Sequence, residues 1–308
     1  MKSVFVMGCE RSGTTFLGSF LGAHSQCVVT PESQFKVVVP PSYREDGTFD
    51  ARKTFEEIRS SWHLRKWETP IEFSAEELEK ISTYGMLIQM IVRKYAESHH
   101  REKEAKYWID HTPNNIEHVD FLRKTFPGAK FIHIVRDGRG VAASFERVSW
   151  GPDTILESAC HWMKKIAFGF AAEVKYPDEV MMIRYEDILE DPESAARKMC
   201  RFIGIDFEAR MLKADGMVVP SYTRHQHELV GAQPTQSKAD SWRTKLSARE
   251  IEIFEYETGR MLQFLGYPRL YEEPRRPSKP EYIRFYFHKR KKRIYKELKK
   301  AIHKVGIR

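Results

Sequence analysis

The stretch that most limits what this chain can fold into is Val4 to Leu21, VFVMGCERSGTTFLGSFL. Val4, Phe5, Val6 and Met7 form a short apolar β run, Gly8 opens a turn, and Phe16, Leu17, Phe20 and Leu21 recur at helical spacing after Thr14. Strand, glycine turn and helix N-terminus in that order make a cradle for an anion. The amides of residues 11 to 15 converge, the helix end adds partial positive charge, and Ser12, Thr14 and Thr15 add hydroxyl donors around Gly13.

The Gly8-x-x-x-x-Gly13 spacing is that of a Walker A loop, but Thr14-Thr15 follow where an ATPase or kinase carries Lys-Ser or Lys-Thr. The loop cation is Arg11 instead, which suits a nucleotide whose terminal group is not a magnesium-bound triphosphate. A small-molecule kinase or NTPase is the competing enzyme reading, and it has to turn over ATP without the loop lysine. Taken alone, the two glycines also fit a plain strand-to-helix turn.

A chain of 308 residues with 41% hydrophobic content can bury one large core, so one domain is expected over residues 1–272, with a tail over 273–308. No apolar run approaches the ~20 residues of a bilayer span, and Glu10 and Arg11 break the N-terminal apolar segment as a signal peptide would not tolerate. A cytoplasmic protein is therefore expected. Cys9, Cys27, Cys160 and Cys200 are scattered without histidines at ligand spacing, which indicates neither disulfides nor a zinc site. The net charge of +8 is concentrated: residues 275–308 hold 14 Lys/Arg against 2 Glu, a local +12 that leaves −4 for the remainder. A basic nucleic-acid-binding core is thereby excluded, and no nucleic-acid partner is expected.

Beyond the first helix, a loop with a short apolar segment, His24 to Ser33, delivers Glu32, a carboxylate placed to take a proton from an acceptor hydroxyl, although lone acids near loops more often cap or meet solvent. Residues 52–106 read as a helical insertion over the sheet, with a capping box at Ser74 to Glu77 and apolar spacing through Leu78, Ile81, Met86, Ile88, Met90 and Ile91. Its Trp62, His63, Arg65, Lys66 and Trp67 offer an acceptor cleft or simply pack. Tyr107–Asp110 is a second strand, with a helix start at Pro113, and Lys130 to Val135 a third. The loop after that third strand carries Arg136, Arg139 and Ser144, a fork for a separate phosphate beyond a strand end. A long helix over Asp153 to Val174 and a fourth strand ending in Arg184-Tyr185-Glu186-Asp187 continue the alternation. Pro192 to Ile203 and Ser247 to Leu265 are helical, and Gly216 to Ser241 is turn-rich. Arg243 and Lys245 follow Trp242, either closing over a nucleotide or standing as solvated cations beside a core tryptophan.

Gly8-Cys-Glu-Arg-Ser-Gly-Thr-Thr15, together with Ile134-Val-Arg-Asp-Gly-Arg139 and Ser144, resembles the sulfotransferases over about residues 3 to 265. The resemblance implies an α/β fold with a P-loop NTPase-like parallel sheet flanked by helices, and the donor 3′-phosphoadenosine 5′-phosphosulfate, with no metal. It implies that Arg11, Ser12, Gly13, Thr14 and Thr15 hold the 5′-phosphosulfate, that Arg136 and Ser144 hold the 3′-phosphate, and that Tyr185 lies near the nucleotide. Arg147 is a looser candidate. The chain is most similar to the branch with protein-tyrosine sulfotransferases and many bacterial members, in which a glutamate at the Glu32 position is the base. One departure stands out: where the family often has Asp-Lys-Thr-Pro, this chain has Asp110-His111-Thr112-Pro113, so His111 inherits the charge-stabilising role only when protonated, or serves merely as a hydrogen-bonding loop residue. The acceptor hydroxyl, on a carbohydrate, a lipid-linked glycan, a tyrosyl residue or a small alcohol, is not named by the sequence.

In the tail, Ile294, Leu298, Ile302 and Val305 recur at helical spacing among lysines and arginines, with Phe285, Tyr286 and Phe287 upstream. This basic amphipathic C-terminal helix either packs on the core or attaches to an anionic membrane surface, and the second would favour a lipid-linked acceptor. A membrane-surface adaptor without chemistry would leave the two phosphate loops unexplained.

Overall fold

A computed structural model of the protein describes residues 1–101, 105–146, 148, 150–217 and 239–304. Arg147, most of the turn-rich stretch from Gly216 to Ser241, and Val305 lie outside the described residues, as do the side chains of Leu298 and Ile302. The chain divides into two compact units, Met1–Val135 with Phe168–Gln236, and Arg136–Ala167 with Ser237–Arg308.

The first unit is built on five parallel strands in the order β2-β3-β1-β4-β5: β1 (Lys2–Gly8), β2 (Cys27–Thr30), β3 (Tyr107–Asp110), β4 (Lys130–Val135) and β5 (Val180–Arg184). The central β1 is buried at every residue but Lys2, as expected of a parallel strand covered on both faces, and its apolar run is continuous rather than alternating. Sequence spacing shows four of these strands. The fifth, β2, lies within the segment read as a loop, because four residues are too few to declare a period; pairing of Val28 with Trp108 and Thr30 with Asp110 makes it the edge strand. The polar end expected of the last strand differs too: β5 stops at Arg184, and Tyr185 opens a helix, α10 (Tyr185–Glu190).

Helix α1 (Thr14–Gly22) follows β1, and the insertion contributes α2 (Phe35–Val38), α3 (Ala51–Ser60), α4 (Trp62–Arg65), α5 (Ala75–Glu79) and α6 (Tyr84–Ser98). The Ser74–Glu77 capping box forms as expected. On α6 the buried face is Leu87, Ile88, Ile91, Val92 and Tyr95, and Met86 turns to solvent. Gly85 sets that rotation, since a Cβ there would stand 2.3 Å from the Thr125 carbonyl oxygen. Phe5 anchors the core against Trp108, Phe126 and Phe131 at 5.4–5.5 Å between ring centres; truncating such a ring costs about 3–5 kcal/mol. Helices α7 (Val119–Thr125) and α11 (Pro192–Ile203) complete the unit, and α9 (Ile155–Lys175) runs through residues of both units.

The second unit is helical: α8 (Gly138–Phe145), the N-terminal part of α9, α12 (Trp242–Lys245), α13 (Ala248–Phe264) and α14 (Lys279–Lys304). Trp242 packs with Ala143, Leu246 and Ile251, and Phe285 with Leu156 and Ile253. Trp242 is thus a core residue, and Phe285, grouped by sequence with Tyr286 and Phe287 as one aromatic cluster, is buried while its two neighbours are exposed. No helix among the described residues is long and apolar enough to cross a membrane.

Candidate active site

The turn between β1 and α1 has the backbone that an anion cradle requires. Gly13 is left-handed at φ 97°, and a Cβ on it would stand 2.8 Å from Cδ2 of Tyr185; a Cβ on Gly8 would stand 2.5 Å from the Ile134 carbonyl oxygen. Only glycine tolerates both demands. Arg11 is also left-handed, at φ 69°, which costs a non-glycine residue about 1–2 kcal/mol. Among the described residues no side chain caps the N-terminus of α1, which leaves its first-turn amides to a ligand. Ser12, Thr14 and Thr15 are buried, and the Ser12 hydroxyl, 1% exposed, has no hydrogen-bond partner among the described residues. A buried orphan hydroxyl beside uncapped amides fits a bound phosphate or sulfate group. Tyr185 comes to this turn beneath Gly13, with its ring edge-on to Phe16 at 6.2 Å.

Glu32 stands two residues beyond the end of β2, next to a polar clamp centred on Asp110 at the end of β3. The fully buried Asp110 carboxylate accepts from Lys36 Nζ at 3.0 Å, Asn115 Nδ2 at 2.7 Å, the Thr112 amide at 3.1 Å and the Ser33 hydroxyl. Ser33 is doubly held, since its amide donates to Thr112 Oγ1 at 3.0 Å. Burial would push Asp110 up, but Lys36 and the hydrogen bonds from Ser33 and Asn115 outweigh it and hold the carboxyl at about 2. Glu32 has a different environment. Its backbone carbonyl accepts from Trp67 Nε1 at 3.2 Å and its carboxylate from Gln34 Nε2 at 3.3 Å. Its side chain keeps some solvent exposure, yet protein surrounds the carboxyl closely enough that desolvation dominates; with Asp110 and Glu10 adding repulsion against the pull of Lys66 and Lys36, it rises to about 7.

His111 follows Asp110 and packs under α1, where a Cβ on Gly18 would stand 2.8 Å from His111 Cβ. Among the described residues neither ring nitrogen has a well-formed hydrogen bond, although the Thr30 carbonyl favours the cation. Burial, reinforced by repulsion from Lys36, pushes the imidazole down to about 4 against the pull of Asp110. A value of about 4 favours the neutral ring, an N–H donor, near pH 7, and the protonated ring only at lower pH.

The second loop lies in the second unit. Asp137 caps α8 by accepting from the Arg139 amide at 2.9 Å. Arg139 is not a ligand fork: its guanidinium is buried between Asp137 (2.6 and 3.0 Å) and Glu255 (2.5 Å), stacked on Trp242 at 3.9 Å. Arg136 is only partly buried; its carbonyl accepts from Trp162 Nε1 at 3.1 Å, and Gly140 leaves room for its side chain, a Cβ there standing 3.2 Å from Arg136 Nε. Ser144 lies on α8, partly exposed. Arg243 and Lys245 are on the exposed face of α12, pairing with Asp240 at 3.3 Å and the Ser241 hydroxyl at 3.0 Å.

Sequence reading missed Asp110, Lys36, Ser33 and Asn115 as the frame of the site. Asp110 sat at a strand end in plain view, but a buried lysine three residues after Ser33 gives no periodic signal.

A family model described as "Sulfotransferase family" matches residues 3–209. Protein-tyrosine sulfotransferase 1 of Danio rerio is 23% identical over 243 residues, covering 75% of this chain and 58% of that protein. The protein-tyrosine sulfotransferase of Drosophila melanogaster is 24% identical over 300 residues, 91% of this chain and 54% of its own length. The chain thus spans about half the length of these curated relatives. Among solved structures, the sulfotransferase domain from the curacin biosynthetic pathway superposes with a TM-score of 0.60 at 19% identity, over 87% of this chain and 99% of the other, which shows a shared fold.

Proposed function

We propose that this chain, which belongs to the sulfotransferase family, transfers a sulfuryl group from 3′-phosphoadenosine 5′-phosphosulfate to an acceptor hydroxyl, through residues 1–272. The observation that carries this reading is the cradle: a left-handed Gly13 and, among the described residues, α1 amides that no side chain caps and a buried Ser12 hydroxyl without a partner. The nucleotide supplies an activated sulfuryl group on a phosphate leaving group. Arg11, Ser12, Gly13, Thr14 and Thr15 hold its 5′ end, Tyr185 backs the turn, and Arg136 and Ser144 hold the 3′-phosphate. Support for a second anion site comes from the sequence, in which Arg136 and Ser144 follow β4 as Arg11 and Ser12 follow β1. Arg243 and Lys245 add positive charge at the nucleotide.

Glu32, with its carboxyl at about 7, accepts the acceptor's proton near neutral pH, the range in which a general base is most effective. Arg11 and the cradle amides stabilise charge on the sulfuryl oxygens, and neutral His111 contributes an N–H donor. The acceptor is a hydroxyl on a sugar, a lipid-linked glycan, a tyrosyl residue or a small alcohol.

Calorimetry without added magnesium tests the two-site assignment. Adenosine 3′,5′-bisphosphate should bind about 10–100-fold more tightly than AMP, the worth of one or two charge-assisted hydrogen bonds, and Arg136→Ala should remove most of that preference. Equal affinities for the two nucleotides would overturn the reading.

A further inference from the structure

Among the described residues, helix α14 is fastened to its unit along one side. Phe285 is buried with Leu156 and Ile253, Arg249 grips Glu281 at 3.0 and 2.8 Å, Tyr282 donates to Glu257 at 3.1 Å, and His288 faces Asp153 at 3.5 Å. The opposite side carries a different set. Ile283, Phe287 and Ile294 are 67%, 66% and 51% exposed, and at about 100° per residue they fall within roughly 40° of one another. Tyr286, 62% exposed, borders them. Phe285 points away, two residues from both Ile283 and Phe287, so packing on the core and leaving this stripe uncovered are one geometric fact.

Single exposed apolar residues are ordinary, but four large ones along one helical face are not. The charges around them identify the occupant. Arg284, Arg290 and Lys291 are exposed within the same turns, Arg290 on the stripe itself, and residues 275–308 carry a net +12 while the rest of the chain is acidic. A nucleic acid would use the cations and leave the isoleucines and Phe287 in water. A second copy of this helix would bring +12 against +12. An anionic lipid surface uses both: the apolar side chains enter the boundary between headgroups and acyl chains, Tyr286 sits with its hydroxyl among the headgroups, and the arginines extend to the phosphates.

We propose that the Ile283–Tyr286–Phe287–Ile294 face of α14 is a docking surface for an anionic membrane. The proposal stands independently of the transferase reading, because it concerns a surface and not the anion cradle. It gives the protein a location at which a membrane-borne acceptor is concentrated.

The test is co-sedimentation of the full chain with vesicles of phosphatidylglycerol and phosphatidylcholine, and with phosphatidylcholine alone. The wild type should pellet with the anionic vesicles and stay in solution with the neutral ones. Ile283→Asp combined with Phe287→Asp should weaken binding roughly tenfold or more, the loss expected when two large side chains no longer leave water. Both positions are exposed, so the variant should keep the wild-type melting curve and its affinity for adenosine 3′,5′-bisphosphate. Failure of the wild type to bind anionic vesicles at low salt overturns the proposal. So does an unchanged affinity in the double variant, which would leave only a charge effect. A wild-type dimer in sedimentation velocity that the double variant dissociates would overturn it as well, by assigning the face to a second copy of the chain.

Discussion

Two carboxylates leave the ends of neighbouring strands in the first unit and are driven in opposite directions. Asp110 is the more deeply buried, yet it is held at about 2, while Glu32, retaining some solvent, rises to about 7. Depth is therefore not what separates them. Among the described residues Asp110 is met by an ammonium, a hydroxyl, a side-chain amide and a backbone amide, whereas the Glu32 carboxylate receives one 3.3 Å hydrogen bond from Gln34. Donors directed at a charge outweigh desolvation, and their scarcity leaves desolvation in control. One carboxylate becomes a fixed structural anion and the other a group that exchanges protons near pH 7.

The largest effect should come from removing the fixed anion. Asp110→Ala leaves the Lys36 ammonium buried without its counter-charge, and urea unfolding should show a loss of about 3–5 kcal/mol. Adding Lys36→Met should return much of it, since a neutral side chain of similar length no longer needs a partner. A single variant as stable as the wild type would break the comparison.

Glu32→Gln should lower turnover by roughly 10²-fold or more, which corresponds to about 2.7 kcal/mol, and leave nucleotide affinity and stability close to wild type. An undiminished rate with a true acceptor would make Glu32 as structural as Asp110.

The smallest effect is also the sharpest, because the two groups give pH dependences of opposite sign. The Glu32 pKa is raised on folding from 4.5 to about 7, so the folded state holds its proton more tightly than the unfolded chain. Its contribution is complete below about 4.5 and is lost as pH rises through about 7. The amount is about 1–3 kcal/mol, with residual solvent exposure favouring the lower figure. Asp110 is lowered from 3.8 to about 2, so its contribution is present above 3.8 and lost as pH falls through about 2. Unfolding free energies measured across this range should therefore decline towards neutral pH in the wild type and flatten in Glu32→Gln. Identical slopes in the two proteins would place the Glu32 carboxyl in its ordinary range.

The sequence by itself determined the β1–turn–α1 cradle, the alternation of strands and helices, and the polar loops at strand ends. These are local: each follows from apolar runs, glycine at φ 97°, a proline at a helix start, and a capping box within four residues. Glu32 was legible for the same reason, as an acid just beyond a short apolar run. Tertiary structure decided what no window of sequence contains. It made an edge strand of Cys27–Thr30 by pairing it with β3, it turned Arg139 from a ligand candidate into a core ion pair with Glu255, and it sorted Phe285 from Tyr286 and Phe287. It also set the protonation of His111 and Glu32, because desolvation depends on which atoms from distant parts of the chain exclude water from a side chain. Spacing along the backbone specifies an element and its face, whereas burial and hydrogen-bond partners are properties of neighbours brought together only by folding.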